Sequence, residues 1–143
     1  MIGLLALAIL VSIVGCTGKA ARNVDQQEKA AINEAALRYL NAEVMSDFKE
    51  IYRSLAPSST YCRENTYEDY LTTIKASPVR VLDYRILKIE GIRTNEDSVT
   101  YPNVKKFAQL KVEVTLLYED TGEKARVNYD FTFMKEGGKW YKG

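Results

Sequence analysis

With 143 residues, the chain has room for one domain with a hydrophobic core and too little for two of typical size. Lysine plus arginine (20) nearly balance aspartate plus glutamate (19), and no block of like charge forms a basic stripe, so nucleic-acid binding is not expected. Histidine is absent, which removes the usual neutral-pH general base, the commonest metal ligand and the histidine of Ser or Cys triads. No catalytic, metal-binding or cofactor-binding residue stands out, and no cofactor is expected.

The run from Met1 to Gly15 is uncharged and almost wholly apolar, yet a bilayer-spanning helix needs about 20 such residues. It fits the apolar region of a secretory signal peptide over residues 1–15, although the positive stretch that usually precedes one is missing. The run ends in Ile13-Val14-Gly15-Cys16, which resembles the lipobox of bacterial lipoproteins. That resemblance implies cleavage before Cys16, a diacylglycerol on its sulfur and acylation of the new amino group. Cys16 is thus the expected lipidation site and membrane lipid the first expected partner, since two or more acyl chains anchor stably where one is marginal. The implied location is the bacterial cell envelope, facing outside the cytoplasm. Thr17, rather than Asp, after the cysteine resembles the enterobacterial signal for the outer membrane, if the organism has one. The alternatives are an uncleaved N-terminal anchor helix, or a buried cysteine after an ordinary apolar segment. Once Cys16 is lipidated only Cys62 remains; no intramolecular disulfide can form, and without a histidine to activate it Cys62 reads as a packed residue.

Residues 16–24 are small and polar and read as a tether reaching less than ~30 Å at ~3.5 Å per residue. A single domain is expected over 25–143. Asp25 and Glu28 are spaced as a capping pair, and Ile32, Ala36, Leu40 and Val44 then recur four apart, predicting a helix from about Gln26 to Met45. Lys29, Asn33, Glu34, Arg38 and Glu43 fall on its other faces. Asp47 and Glu50 repeat the capping pattern before a short helix that carries Phe48, Ile51, Tyr52 and Leu55 and ends by Pro57. Ser58-Ser59-Thr60 reads as a loop. A third helix is predicted from Thr66 to Ala76, started by Asn65 or Thr66, with Tyr67, Tyr70, Leu71 and Ile74 on one face before Ser77-Pro78.

After Pro78 the period becomes two. Val79 to Arg93 is strand-like but changes phase near Asp83, which predicts a bulge or break. Ala108, Leu110, Val112, Val114, Leu116 and Tyr118 alternate with mostly polar residues. Beyond a turn at Asp120-Thr121-Gly122-Glu123, so do Ala125, Val127, Tyr129, Phe131 and Phe133, giving a long hairpin with one core face. Glu136-Gly137-Gly138 turns the chain into a short last strand, Lys139 to Lys142.

Three helices packed on a curved antiparallel sheet of about four strands make an α+β domain. The order, the phrase from Ser46 to Pro57 and the ending Gly138-Lys139-Trp140-Tyr141 resemble the nuclear transport factor 2-like superfamily, the cystatin-like cone shared with ketosteroid isomerase and polyketide cyclases. A cystatin-like helix on a sheet is the alternative fold. The resemblance implies a cone whose occupants range from substrates to partner proteins, so function has to come from the site. The enzymes of that superfamily carry Asp, Asp-His or Tyr groups in the cone, whereas the inward positions expected here are Ala, Val, Leu, Tyr and Phe. Asp83 and Asp130, with Tyr84 and Tyr129, are the pieces from which a base and a phenol donor could be built. Alternation places Asp130 on the wet face, and Asp83 sits at the phase break. Tyr39, Tyr52, Tyr70, Tyr84 and Tyr129 read as residues sealing the edge of a core, or as the lining for an apolar ligand. The expected role is a membrane-anchored envelope lipoprotein with a noncatalytic ligand-binding or protein-binding cone. Its partners are an apolar small molecule, a second copy or another envelope protein; the alternative is a small-molecule isomerase or dehydratase using the cone pocket.

Overall fold

The computed structural model describes residues 17–143, with side chains from residue 23 onward. The expected signal peptide, 1–15, and Cys16 lie outside the described residues. Helices α1 (Thr17–Met45), α2 (Phe48–Arg53), α3 (Thr60–Glu64) and α4 (Tyr67–Lys75) precede strands β1 (Val79–Thr94), β2 (Val104–Tyr118), β3 (Lys124–Glu136) and β4 (Lys139–Lys142). The strands form one antiparallel sheet in the order β1-β2-β3-β4. Among the described residues no helix is long and apolar enough to cross a membrane.

The period-four stripe of α1 does what its spacing predicts. Ile32, Ala35, Ala36, Tyr39 and Leu40 are buried against Leu110, Val112 and Val114 of β2, Phe133 of β3 and Trp140 of β4. Residues with small side chains let α1 lie close to the sheet, and the branched side chains of β2 fill the space between them.

The start of α1 differs from expectation. The first described residue, Thr17, is already helical, so residues 17–24 belong to α1 instead of forming an irregular connection. Helix rises only about 1.5 Å per residue, so this stretch reaches less than half as far as an extended tether. Glu28 caps nothing. It is buried, and its carboxylate accepts from Lys106 Nζ at 2.9 Å, Lys135 Nζ at 2.8 Å and Trp140 Nε1 at 2.9 Å. Asp25 instead pairs with Lys29 at 2.8 Å on the exposed face. One buried carboxylate therefore ties α1 to β2, β3 and β4 together.

The later helices follow their caps. Asp47 accepts from the Glu50 amide at 3.1 Å, and Thr66 and Asp69 form a reciprocal capping box. Helix α3 is additional to the three expected helices and takes in Thr60 of the expected loop; it is started by Ser59, whose hydroxyl accepts from the Cys62 amide at 3.2 Å. The chain between α2 and α3 lies along the outer edge of β4: Lys142 N donates to Ser54 O at 2.9 Å and Ala56 N to Lys142 O at 2.7 Å.

Strand β1 carries the expected irregularity between Val81 and Asp83, and two more between Ile86 and Lys88 and between Glu90 and Arg93. The last contains Gly91 at φ +63, a left-handed position that favours glycine. These bulges bend the long strand around the helices, and charged side chains cover its far face. Glu113 pairs there with Arg85 at 3.2 Å, and Lys111 with Glu90 at 3.3 Å.

Candidate functional site

Where α1, α4 and the end of β4 meet, the helices stand off the sheet and leave a cavity of about 280 Å³. Its walls are Tyr39 and Glu43 of α1, Ile51 and Leu55 of the α2 segment, Tyr61 of α3, Tyr70, Thr73 and Ile74 of α4, and Lys142 of β4. Tyr39 and Glu43 are one turn apart, so both project from the same side of α1. The volume suits a compact ligand and lies near the lower end for small-molecule sites.

Most of the wall is apolar or aromatic. Tyr39 stands edge-on to Phe131 with centroids 6.0 Å apart, and Tyr70 packs against Tyr52 at 5.6 Å and Tyr61 at 6.3 Å. Tyr52 settles its hydroxyl on the Asn65 carbonyl at 3.0 Å. The Tyr70 hydroxyl is buried with no hydrogen-bond partner among the described residues. Leaving such a group unpaired costs about 1–3 kcal/mol, and because the oxygen has almost no accessible surface an acceptor in the cavity meets it only when the wall shifts.

Two ionisable groups face the same space. Burial pushes the Glu43 carboxyl up from its ordinary value, against the Tyr39 hydroxyl and the Lys142 ammonium, which favour the charged form. Burial holds the Lys142 ammonium below its usual range, with the charge of Glu43 acting the other way. The Lys142 ammonium also lies 5.3 Å from the Phe131 ring centre. Burial likewise raises Tyr39 and Tyr70 above the usual phenol value, and the negative charge of Glu43 adds to it, so both remain protonated donors. The cavity thus offers phenol donors, one carboxyl that can hold or release a proton, and one ammonium.

The candidates expected from sequence do not assemble. Asp83 is exposed at the first bulge and Asp130 is exposed on the wet face of β3. Asp83 is level with Thr115 and so with Arg126, two strands across, while Asp130 faces Lys111. Tyr84 donates to Asn41 Oδ1 at 2.7 Å, and Tyr129 is 39% exposed, stacked on Phe131 at 5.6 Å. Tyr39 and Tyr70 belong to the core, as their helical stripes led one to expect, and also line the cavity. Glu43 and Lys142 were not anticipated. A wider cleft of about 660 Å³ opens beside Arg93, Gln109, Asp130 and Thr132. Gln109 and Thr132 already bond each other there at 3.1 Å, and Asn95 bonds backbone carbonyls, so the cleft offers fewer unsatisfied groups.

No protein-family model matches the chain, and no curated protein matches it. Among solved structures it is similar to a ketosteroid isomerase-like protein from Erwinia carotovora atroseptica. The two share 19% identity over 79% of this chain and 88% of the other, with a TM-score of 0.51. Helices on an open four-stranded antiparallel sheet, together with that likeness, make this the nuclear transport factor 2-like fold. At this identity the likeness speaks for the fold alone.

Proposed function

We propose that the chain is an envelope lipoprotein, anchored through acylated Cys16, whose cone binds a small, mostly apolar molecule carrying one hydrogen-bond acceptor. The observation that carries the binding reading is the buried Tyr70 hydroxyl without a partner, set in the aromatic wall of a cavity of about 280 Å³. The anchoring half rests on Ile13-Val14-Gly15-Cys16 and the apolar run before it. Binding needs no turnover here: the phenols remain neutral donors, and the apolar wall supplies the burial energy.

A second reading has its own support. The raised Glu43 carboxyl beside two phenols is the kind of group that could move a proton next to a carbonyl, as an isomerase requires. Glu43→Gln separates the two readings. A binder retains its ligand in that variant, whereas an isomerase loses all turnover of a β,γ-unsaturated ketone.

Two measurements test the proposal. Intact-mass analysis of the full-length protein from a bacterium should show a chain that begins at Cys16 with added acyl mass, abolished by Cys16→Ala. An unmodified chain that retains Met1 refutes the anchor. Fluorescence titration with naphthol, an apolar ring with one oxygen acceptor, should saturate, and Ile74→Trp, which fills the cavity, should abolish it. Binding unchanged by Ile74→Trp refutes the cavity.

A further inference from the structure

Strand β3 is paired on one side along its whole length, but on the other only from Phe133 to Glu136, where β4 lies. With Thr132 bonded to Gly143, residues 124–131 form an open edge among the described residues. The direction of its free groups follows from one bond: Gly143 N donates to Thr132 O at 2.8 Å, so the Thr132 backbone faces away from β2. Register with β2 is unbroken from Lys124 to Lys135, and in an antiparallel strand alternate residues face the same edge. Arg126, Asn128 and Asp130 thus direct their amides and carbonyls outward. A row of such groups is a template for another strand unless something blocks it. Here no proline interrupts the edge and, among the described residues, no helix covers it.

The side chains say which strand fits. If a second copy of β3 pairs antiparallel about a two-fold axis through Asn128, each Arg126 comes opposite Asp130 of the other copy. On the core-side face Val127 comes opposite Tyr129, and Ala125 opposite Phe131. Tyr129, 39% exposed, is a large aromatic at the solvent boundary of that face, and the pairing would cover it. A two-residue slip towards the hairpin tip sets Arg126 opposite Asn128, the opposite slip sets Asp130 opposite Asn128, and slips of four residues set Arg126 against Arg126 or Asp130 against Asp130. Only the register centred on Asn128 satisfies both charges. Arg126 can supply its charge, because its one ion pair among the described residues, to Glu113, is long at 3.8 Å and 69% of its side chain is exposed.

We propose that the β3 edge is a self-docking surface, through which two copies of this chain join their sheets in the register that opposes Asn128 to Asn128.

The pairing sets the Asn128 Cα atoms about 5.5 Å apart, within disulfide range. The test uses the full-length chain in detergent, carrying Cys16→Ala and Cys62→Ser so that no native thiol competes. Asn128→Cys should give a disulfide-linked dimer on mild oxidation, while Val99→Cys, at a site 92% exposed, should remain monomeric. Arg126→Asp or Asp130→Arg, each added singly to the Asn128→Cys chain, should cut its dimer yield by about tenfold, since each sets like charges opposite one another. Both together should restore it. Circular dichroism on each variant checks that these exposed positions leave the fold intact. Equal yields at positions 128 and 99, no dimer at position 128, or a double reversal that fails to rescue would each overturn the proposal.

Discussion

Glu28→Gln removes the one negative charge that Lys106, Lys135 and the Trp140 indole share, and its cost can be worked from the carboxyl's own titration. Burial alone would raise this group. Hydrogen bonds from Lys135, Lys106 and Trp140, with the Lys135 charge, more than reverse that and bring it down from 4.5 to about 2. At 1.36 kcal/mol per pH unit, that depression is a contribution of about 3 kcal/mol to folding at neutral pH. The figure is an upper one for the variant, because glutamine still offers an oxygen to the indole. Both lysines keep partial access to water, at 33% and 24% side-chain exposure, which softens the loss of their counterion. A carboxyl depressed in the folded state stabilises above its unfolded value and stops doing so as pH falls through the folded value. The wild-type advantage should therefore be full above about pH 5 and vanish near pH 2. Urea unfolding followed by far-ultraviolet circular dichroism, at intervals from about pH 2 to 7, measures it. The carboxylates of Asp69 and Asp97, which are exposed, and of half-buried Glu90 are also lowered, by the Thr66 hydrogen bonds, by Thr100, and by Lys88 and Lys111 respectively, but they titrate alike in both proteins and cancel. A stability difference that stays constant across the range would refute the assignment of Glu28 as the charged link between α1 and the sheet.

Ser46 sits just past the end of α1 with φ 54, where glycine is favoured, so Ser46→Gly should raise stability by about 0.5–1 kcal/mol in chemical denaturation. Thr66→Ala breaks the capping box with Asp69 and should cost about 1 kcal/mol, read as a fall in the thermal midpoint. Glu43 is raised by burial, so its charged form opposes folding: stability should decline as pH rises through its folded value, and Glu43→Gln should remove that decline in a pH series.

Local pattern revealed the elements whose causes are local. The alternation of Leu110, Val112 and Val114 and the caps Asp47 and Thr66 survive into the structure. The phase change near Asp83 is the bulge between Val81 and Asp83. What local pattern misjudged depends on distant partners. Asp25 and Glu28 have the spacing of a helix start, but Glu28 is claimed by side chains 78, 107 and 112 residues away. Helix α3 is only five residues long, too short to show a period. The site was half legible. Tyr39 and Tyr70 lie on stripes that point inward, but the same stripes describe ordinary core, and only the fold shows that the Tyr70 hydroxyl finds no partner there. Glu43 lies on a polar face of α1 when the helix is viewed alone; α4, from the middle of the chain, and Lys142, from its far end, close over it.

If the Tyr70 hydroxyl is kept for a ligand, Tyr70→Phe reveals it through two readouts on one variant. Removing a buried, unpaired hydroxyl should stabilise the free protein by about 1–2 kcal/mol in urea unfolding. It should also weaken naphthol binding by about 2- to 10-fold, the worth of one neutral hydrogen bond. Higher stability together with lower affinity is the expected outcome. A variant that binds naphthol as tightly as the parent, or that is less stable without ligand, would show that Tyr70 holds no hydroxyl in reserve.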